Sequence, residues 1–148
     1  MKKMTTARAE STKRLALLRP ILDERSEGRC DRCGWPFNVQ DDGSSFFEIH
    51  HRLLRSRGGG TAEYETAATT MSVHPACHSV IHLEPANSTR QGWILPSGSD
   101  PEDCSLSLRG DAALLGADGS VTWLVEDTED DPDTYRDLLI DDEMGTSA

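Results

Sequence analysis

All five histidines of this 148-residue chain, His50, His51, His74, His78 and His82, fall between positions 50 and 82. Histidine is the commonest transition-metal ligand, and its charge changes near neutral pH. Such clustering points to metal binding, proton transfer or both. The four cysteines add to it. Cys30 and Cys33 offer two thiolates from one tight turn. His74 and Cys77 repeat the same i, i+3 spacing, and a tetrahedral zinc site takes four such ligands. Cys30, Cys33, His74 and Cys77 are therefore expected to form a Cys3His site that ties a knuckle to the start of a helix. A redox Cys-x-x-Cys pair and plain buried thiols are the competing readings; neither accounts for the second half-site. Cys104 is left over as an ordinary free thiol.

The other four histidines divide by geometry. His78 and His82 are i, i+4 and share one face of a helix. His50 and His51 end the run "SSFFEIHH", which reads as a strand, and neighbours on a strand point to opposite sides. One of that pair can face a metal while the other faces something else. The expected ligands are His50, His78 and His82, with His51 free to act as a base. A surface histidine is the competing reading for any one of these, but not for all four together.

These side chains need elements to hold them. Residues 7–25 have a helical apolar stripe of Leu15, Leu17, Leu18, Ile21 and Leu22, interrupted by Pro20, which predicts a kink or two short helices. Residues 26–37 read as the cysteine knuckle. Residues 55–70 read as a loop, with Gly58 to Gly60 free to bend. "HPACHSVIHLE" reads as a helix with Pro75 in its first turn, ended by Pro85. A short helical piece follows, stopped by Gly92. "WIL" is expected to start a strand, and residues 105–127 a hairpin turning at "ADGS". Residues 1–6 and 126–148 read as disordered, with "TYRDLLIDD" a transient helix at most.

Composition sets the bounds. The length fits one domain, and 36% hydrophobic with 5% aromatic residues makes a modest core that a structural metal would help to fold. No apolar run is long enough for a membrane span, and the basic N-terminus lacks the apolar core of a secretion signal. The chain reads as cytosolic, where Cys-x-x-Cys favours metal over disulfide. The net charge of −11 is uneven: residues 126–148 carry ten of the 26 acidic residues and one of the 15 basic ones. The rest is nearly neutral, so the overall charge does not exclude a nucleic-acid partner.

In order, "CDRCG", "EIHHRLLRSRGGG" and "HPACHSVIH" resemble the HNH endonuclease family, whose core is the ββα-metal finger. The likeness spans residues 26–95. With "RQGWIL" after the helix, it is closest to phage-encoded members. It implies a small ββα-metal core (26–95) with a Cys3His zinc knuckle; with the N-terminal helical segment (1–25), the C-terminal β-hairpin extension (96–125) and the disordered acidic tail (126–148) read from the residues, the expected fold is α+β. The likeness implies His51 as general base, His50 and His78 as ligands of a catalytic divalent metal (magnesium, manganese, nickel or zinc), and His82 as a further ligand. In the zinc-binding subset two Cys-x-x-Cys pairs form the knuckle; here His74 replaces one cysteine. The asparagine that gives the family its middle letter, which braces the loop and orients the base, is replaced by Thr69.

The activity implied is hydrolysis of DNA phosphodiester bonds, nicking one strand or cutting both, with 5′-phosphate and 3′-hydroxyl products. Arg52, Arg55 and Arg57 are expected to meet backbone phosphates. No array of base-reading side chains stands out, so specificity is expected from a partner. The phage likeness suggests the terminase of genome packaging, and a location in the host cytoplasm. Two other classes stay open: a zinc-knuckle module that binds DNA or protein without cutting, favoured by Thr69, and a redox protein using Cys30 and Cys33.

Overall fold

The computed structural model describes residues 5–57 and 60–124. The expectations for residues 126–148 lie outside it. It is a small α+β chain with two separate antiparallel sheets. No described helix is long and apolar enough to cross a membrane.

The first element is one helix, α1 (Thr6–Ser26), opened by the Thr5 hydroxyl, which accepts from the Arg8 N–H, and closed by Glu27 at positive φ. Pro20 sits inside it and does not divide it into two short helices, one of the two outcomes expected from the sequence. A proline frees the carbonyl four residues earlier. Pro20 and Ala16 both lie on the exposed side, where water can satisfy that carbonyl. The buried line of α1 is Ser11, Leu18, Leu22 and Arg25; Leu17 is 76% exposed and leaves the expected stripe.

The knuckle follows, held by a bridge between Arg29 and Pro36. Then comes a hairpin of β1 (Glu48–His51) and β2 (Thr70–Val73), in register His50 opposite Met71 and His51 opposite Thr70. β2 begins at Thr70, the last residue of what reads as a loop in the sequence, and runs through residues 71–73, for which the sequence suggests no element. All four of its residues are buried, so it shows no alternation between wet and dry faces. The helix α2 (Pro75–Leu83) packs next, with Pro75 at its start as expected and Cys77 and Ile81 buried. Pro85 opens a further helix, α3 (Pro85–Arg90).

Trp93, Ile94 and Leu95 form no strand; the Trp93 and Ile94 amides fold back onto the Ser88 carbonyl, at 2.9 and 3.2 Å. The turn needs Gly92, at φ +76°, where a Cβ would collide with the Ser105 carbonyl and the Leu106 backbone. The expected hairpin is a three-stranded meander of β3 (Leu106–Leu108), β4 (Asp111–Leu115) and β5 (Val121–Trp123). Arg109 and Gly110, both at positive φ, make the first turn, the two-residue pattern that matches strand twist. Leu106, Leu108, Ala113 and Leu115 point inward and join α1, the hairpin and α2 in one apolar core.

Candidate metal centres and the histidine cleft

The first centre forms where the knuckle meets α2. The Gly34 amide donates to the Cys30 carbonyl at 2.9 Å, and Gly34 takes the positive φ that this tight turn requires. Both sulfurs then lie on one side. His74 is the N-cap of α2 and Cys77 sits in its first turn. One ligand atom from each of Cys30, Cys33, His74 and Cys77 lies within 4.8 Å of all the others. His74 Nδ1 is 3.4 Å from Cys33 Sγ and 4.0 Å from Cys77 Sγ, near the edge of about 3.6 Å expected for sulfur and nitrogen around tetrahedral zinc. His74 Nε2–H donates to the Pro36 carbonyl at 3.1 Å. That bond leaves Nδ1 unprotonated toward the thiols, as a ligand requires. Burial pushes the Cys30 thiol up to about 12, so this sulfur is a thiolate only beside a cation. Cys33 is shifted the other way: hydrogen bonds from the Trp35 amide, Cys30, Cys77 and His74 outweigh its burial. The four residues fit a structural zinc. Cys104 belongs to neither centre.

Asp31, inside the knuckle, fastens this centre to the rest. Its fully buried carboxylate accepts from the Ser72 amide at 2.8 Å, from Arg25 at 3.2 Å and from Arg109 at 3.3 Å. It therefore joins β2, α1 and the turn between β3 and β4.

The second centre is built by the hairpin and α2. His50, His78 and His82 each bring a ring nitrogen within 4.8 Å of the others. Their ring centroids are 5.1 to 5.4 Å apart. His50 is fully buried, and its Nε2–H donates to the Trp93 carbonyl at 2.6 Å. Its Nδ1 is buried and has no hydrogen-bond partner. An unpartnered buried imine nitrogen on a ring beside two other histidines fits a metal ligand. Burial pushes His50 down to about 3, so it stays neutral, the form that binds a metal. His78 Nδ1–H donates to Glu48 Oε2 at 2.7 Å, which leaves Nε2 for a metal. Burial, with His78 nearby, lowers His82 as well.

His51 stands at the same strand end with its ring turned another way. Its Nε2–H donates to Glu65 Oε2 at 3.1 Å. Burial lowers its pKa more than Glu65 raises it, which favours the neutral imidazole. His50, His51, His78 and His82 all open onto one cleft of about 810 Å³. Its opposite wall is α1, through Thr12, Leu15, Ala16 and Arg19, which lie at i, i+3, i+4 and i+7 on one helix face.

The arginines separate. Arg55 and Arg57 are exposed on a short 3-10 turn (Arg55–Arg57), and Arg55 reaches the cleft. Arg52 does not fit the phosphate-binding expectation. It is fully buried and donates to the carbonyls of Gly92, Ala68 and Cys104, each at 2.8 Å, and of Pro101 at 3.3 Å. It bolts the loop after β1 to the end of α3 and to residues 101–104. Thr69 is buried, and its hydroxyl donates to the Tyr64 carbonyl and accepts from the Thr66 amide at 3.0 Å.

Sequence reasoning missed Glu48, Glu65, Arg14 and Arg19. Glu48 carried a usable signal, since it is two residues before His50 and so on the same strand face. Arg19 shares a helix face with Leu15. Nothing local marks Glu65, whose partners are 14 and 51 residues away along the chain. Set against protein-family models, curated proteins and solved structures, the chain matches none of them.

Proposed function

We propose that this protein is a metal-dependent endonuclease of the HNH kind, hydrolysing DNA phosphodiester bonds in the cleft beside His51. The observation that carries the reading is the pairing at the end of β1. His50 keeps an unpartnered buried Nδ1 and brings a ring nitrogen within 4.8 Å of those of His78 and His82, while its neighbour His51, its pKa lowered by burial, lines the same cleft. The element order of hairpin then helix, with the histidine centre on it, supports the ββα-metal reading.

A divalent ion held by His50, His78 and His82 would supply the positive charge that stabilises the transition state and the leaving oxygen. The chain's own residues do the rest. His51 takes a proton from water as the water oxygen bonds to phosphorus. The bond from phosphorus to the 3′-oxygen breaks opposite it, and that oxygen takes a proton from solvent. The ends left are a 5′-phosphate and a 3′-hydroxyl. Glu48 and the Trp93 carbonyl orient the ligand rings. Arg55, Arg57 and Arg19 hold phosphates at the cleft and its rim. Arg52 holds the scaffold instead.

The test is cleavage of supercoiled plasmid with added magnesium, manganese or nickel by the wild type and by His78→Ala. The reading expects metal-dependent nicking or cutting that His78→Ala loses. Folded, zinc-loaded wild type that cuts with none of these metals would leave a zinc-knuckle binding module.

A further inference from the structure

The residue expected to orient the base is replaced by Thr69, whose hydroxyl is spent within its own loop. The contact to the His51 ring comes from Glu65 instead. Glu65 is 4% exposed, and both of its carboxylate oxygens have partners. Oε2 accepts from His51 Nε2–H at 3.1 Å and from the Ser11 hydroxyl at 2.8 Å. Oε1 accepts from Arg14 Nε at 3.1 Å and from its terminal nitrogen at 2.7 Å. Arg14 also reaches the Gly60 carbonyl at 3.0 Å, and Arg55 donates to the Ser11 hydroxyl at 2.9 Å. Glu65 is thereby fixed from α1, and the loop carrying it is closed by Thr69.

We propose that Glu65 is the positioning residue for the base: it holds His51 as the Nε2–H tautomer, so that Nδ1 is the proton-accepting atom at the cleft, and α1 is the brace that keeps it there. The inference rests on the endonuclease reading for the use made of Nδ1. A carboxylate so engaged accepts and does not donate, so the imidazole facing it must present N–H. The other ring nitrogen then carries the lone pair. A buried carboxylate that orients a histidine through its far nitrogen is a recurrent solution to that chemistry. It also gives α1 a role beyond forming a wall. Ser11 and Arg14 sit one turn apart, and both donate to this one side chain.

Two measurements test it on the full chain loaded with zinc and magnesium. The first is the tautomer of His51 from its ring ¹⁵N shifts, which needs neither a variant nor any nuclease activity. Nε2–H is expected in the wild type; Nδ1–H would overturn the proposal. Glu65→Ala should relax His51 to the tautomer mixture of a free imidazole, in which Nε2–H leads but Nδ1–H is present, and an exclusive Nε2–H tautomer in that variant would also overturn it. The second is steady-state cleavage by the isosteric Glu65→Gln. A fall in kcat of about tenfold to a hundredfold with KM for DNA unchanged is expected, short of the 10²–10⁴ that a general base contributes. An unchanged kcat, or a loss confined to KM, would contradict a positioning role. If the wild type cuts no DNA, the endonuclease reading fails, while the tautomer measurement still decides what Glu65 does to His51.

Discussion

His50 and His51 are adjacent in the chain and opposed in use. His50 donates through Nε2 to the Trp93 carbonyl at 2.6 Å and keeps a bare, buried Nδ1. His51 donates through Nε2 to Glu65 at 3.1 Å. Strand geometry separates the two rings, and each is fixed by an acceptor from a distant part of the chain. On the endonuclease reading, one strand end would thus serve a metal through His50 and a proton transfer through His51.

The knuckle should carry one tightly held zinc. Its ligands are two buried cysteines, Cys33 and His74, and Cys30 is held neutral by burial unless a cation is present. Elemental analysis should find zinc at about one per chain after dialysis, and Cys33→Ser should lose it. Because binding energy at such a site is folding energy, a strong chelator should lower Tm by many degrees. Unchanged Tm in metal-free protein would contradict a structural role.

Glu48 should tune the second centre without touching the first. It accepts from His78 Nδ1 at 2.7 Å. Glu48→Gln should weaken divalent-ion binding at the histidines about 10- to 100-fold, read by calorimetry, with zinc retained in the knuckle. Equal affinity in both proteins would show that His78 does not depend on that carboxylate.

The arginines should divide by assay. Arg52→Lys keeps a charge but loses the planar fork, leaving buried carbonyls unpaired at about 1–3 kcal/mol each. Urea unfolding should show a loss of about 3 kcal/mol or more. Arg55→Ala and Arg57→Ala should leave stability nearly unchanged, weaken DNA binding, and each reduce the slope of log affinity against log salt by about one. The reverse pattern would restore Arg52 as a phosphate contact.

Glu65 should make stability depend on acid. Burial raises its pKa, but hydrogen bonds from His51, Ser11 and Arg14 outweigh that and hold it below the ordinary 4.5. The unfolded chain then binds the proton first as pH falls. The stabilising contribution is complete above 4.5 and disappears as pH drops through the lower folded value. The stability gap between wild type and Glu65→Gln should be constant above about pH 6 and close below 4.5. A gap independent of pH would mean the carboxylate charge plays no part.

The ligand sets were legible because their spacing is local. Cys-x-x-Cys, His-x-x-Cys and His-x-x-x-His each put two donors on one turn, and Pro75 and Gly92 marked a helix start and a stop. What stayed hidden depends on burial or on distance along the chain. β2 is buried on both faces and so lacks a period of two. Pro20 sits inside a helix because its missing hydrogen bond falls on the wet side. Arg52 has the sequence context of a basic loop, and its four carbonyl partners come from residues 68, 92, 101 and 104. Glu65 becomes a partner of His51 only when α1 closes over the loop.

The most direct test of the endonuclease reading is supercoiled-plasmid cleavage with magnesium, manganese or nickel by wild type and by His51→Ala, both shown to be folded and zinc-loaded. Metal-dependent conversion to nicked or linear plasmid, reduced on the order of 10²-fold or more in His51→Ala, is the predicted result. Cleavage that survives undiminished in His51→Ala, or its absence from the wild type with every metal, would contradict the account.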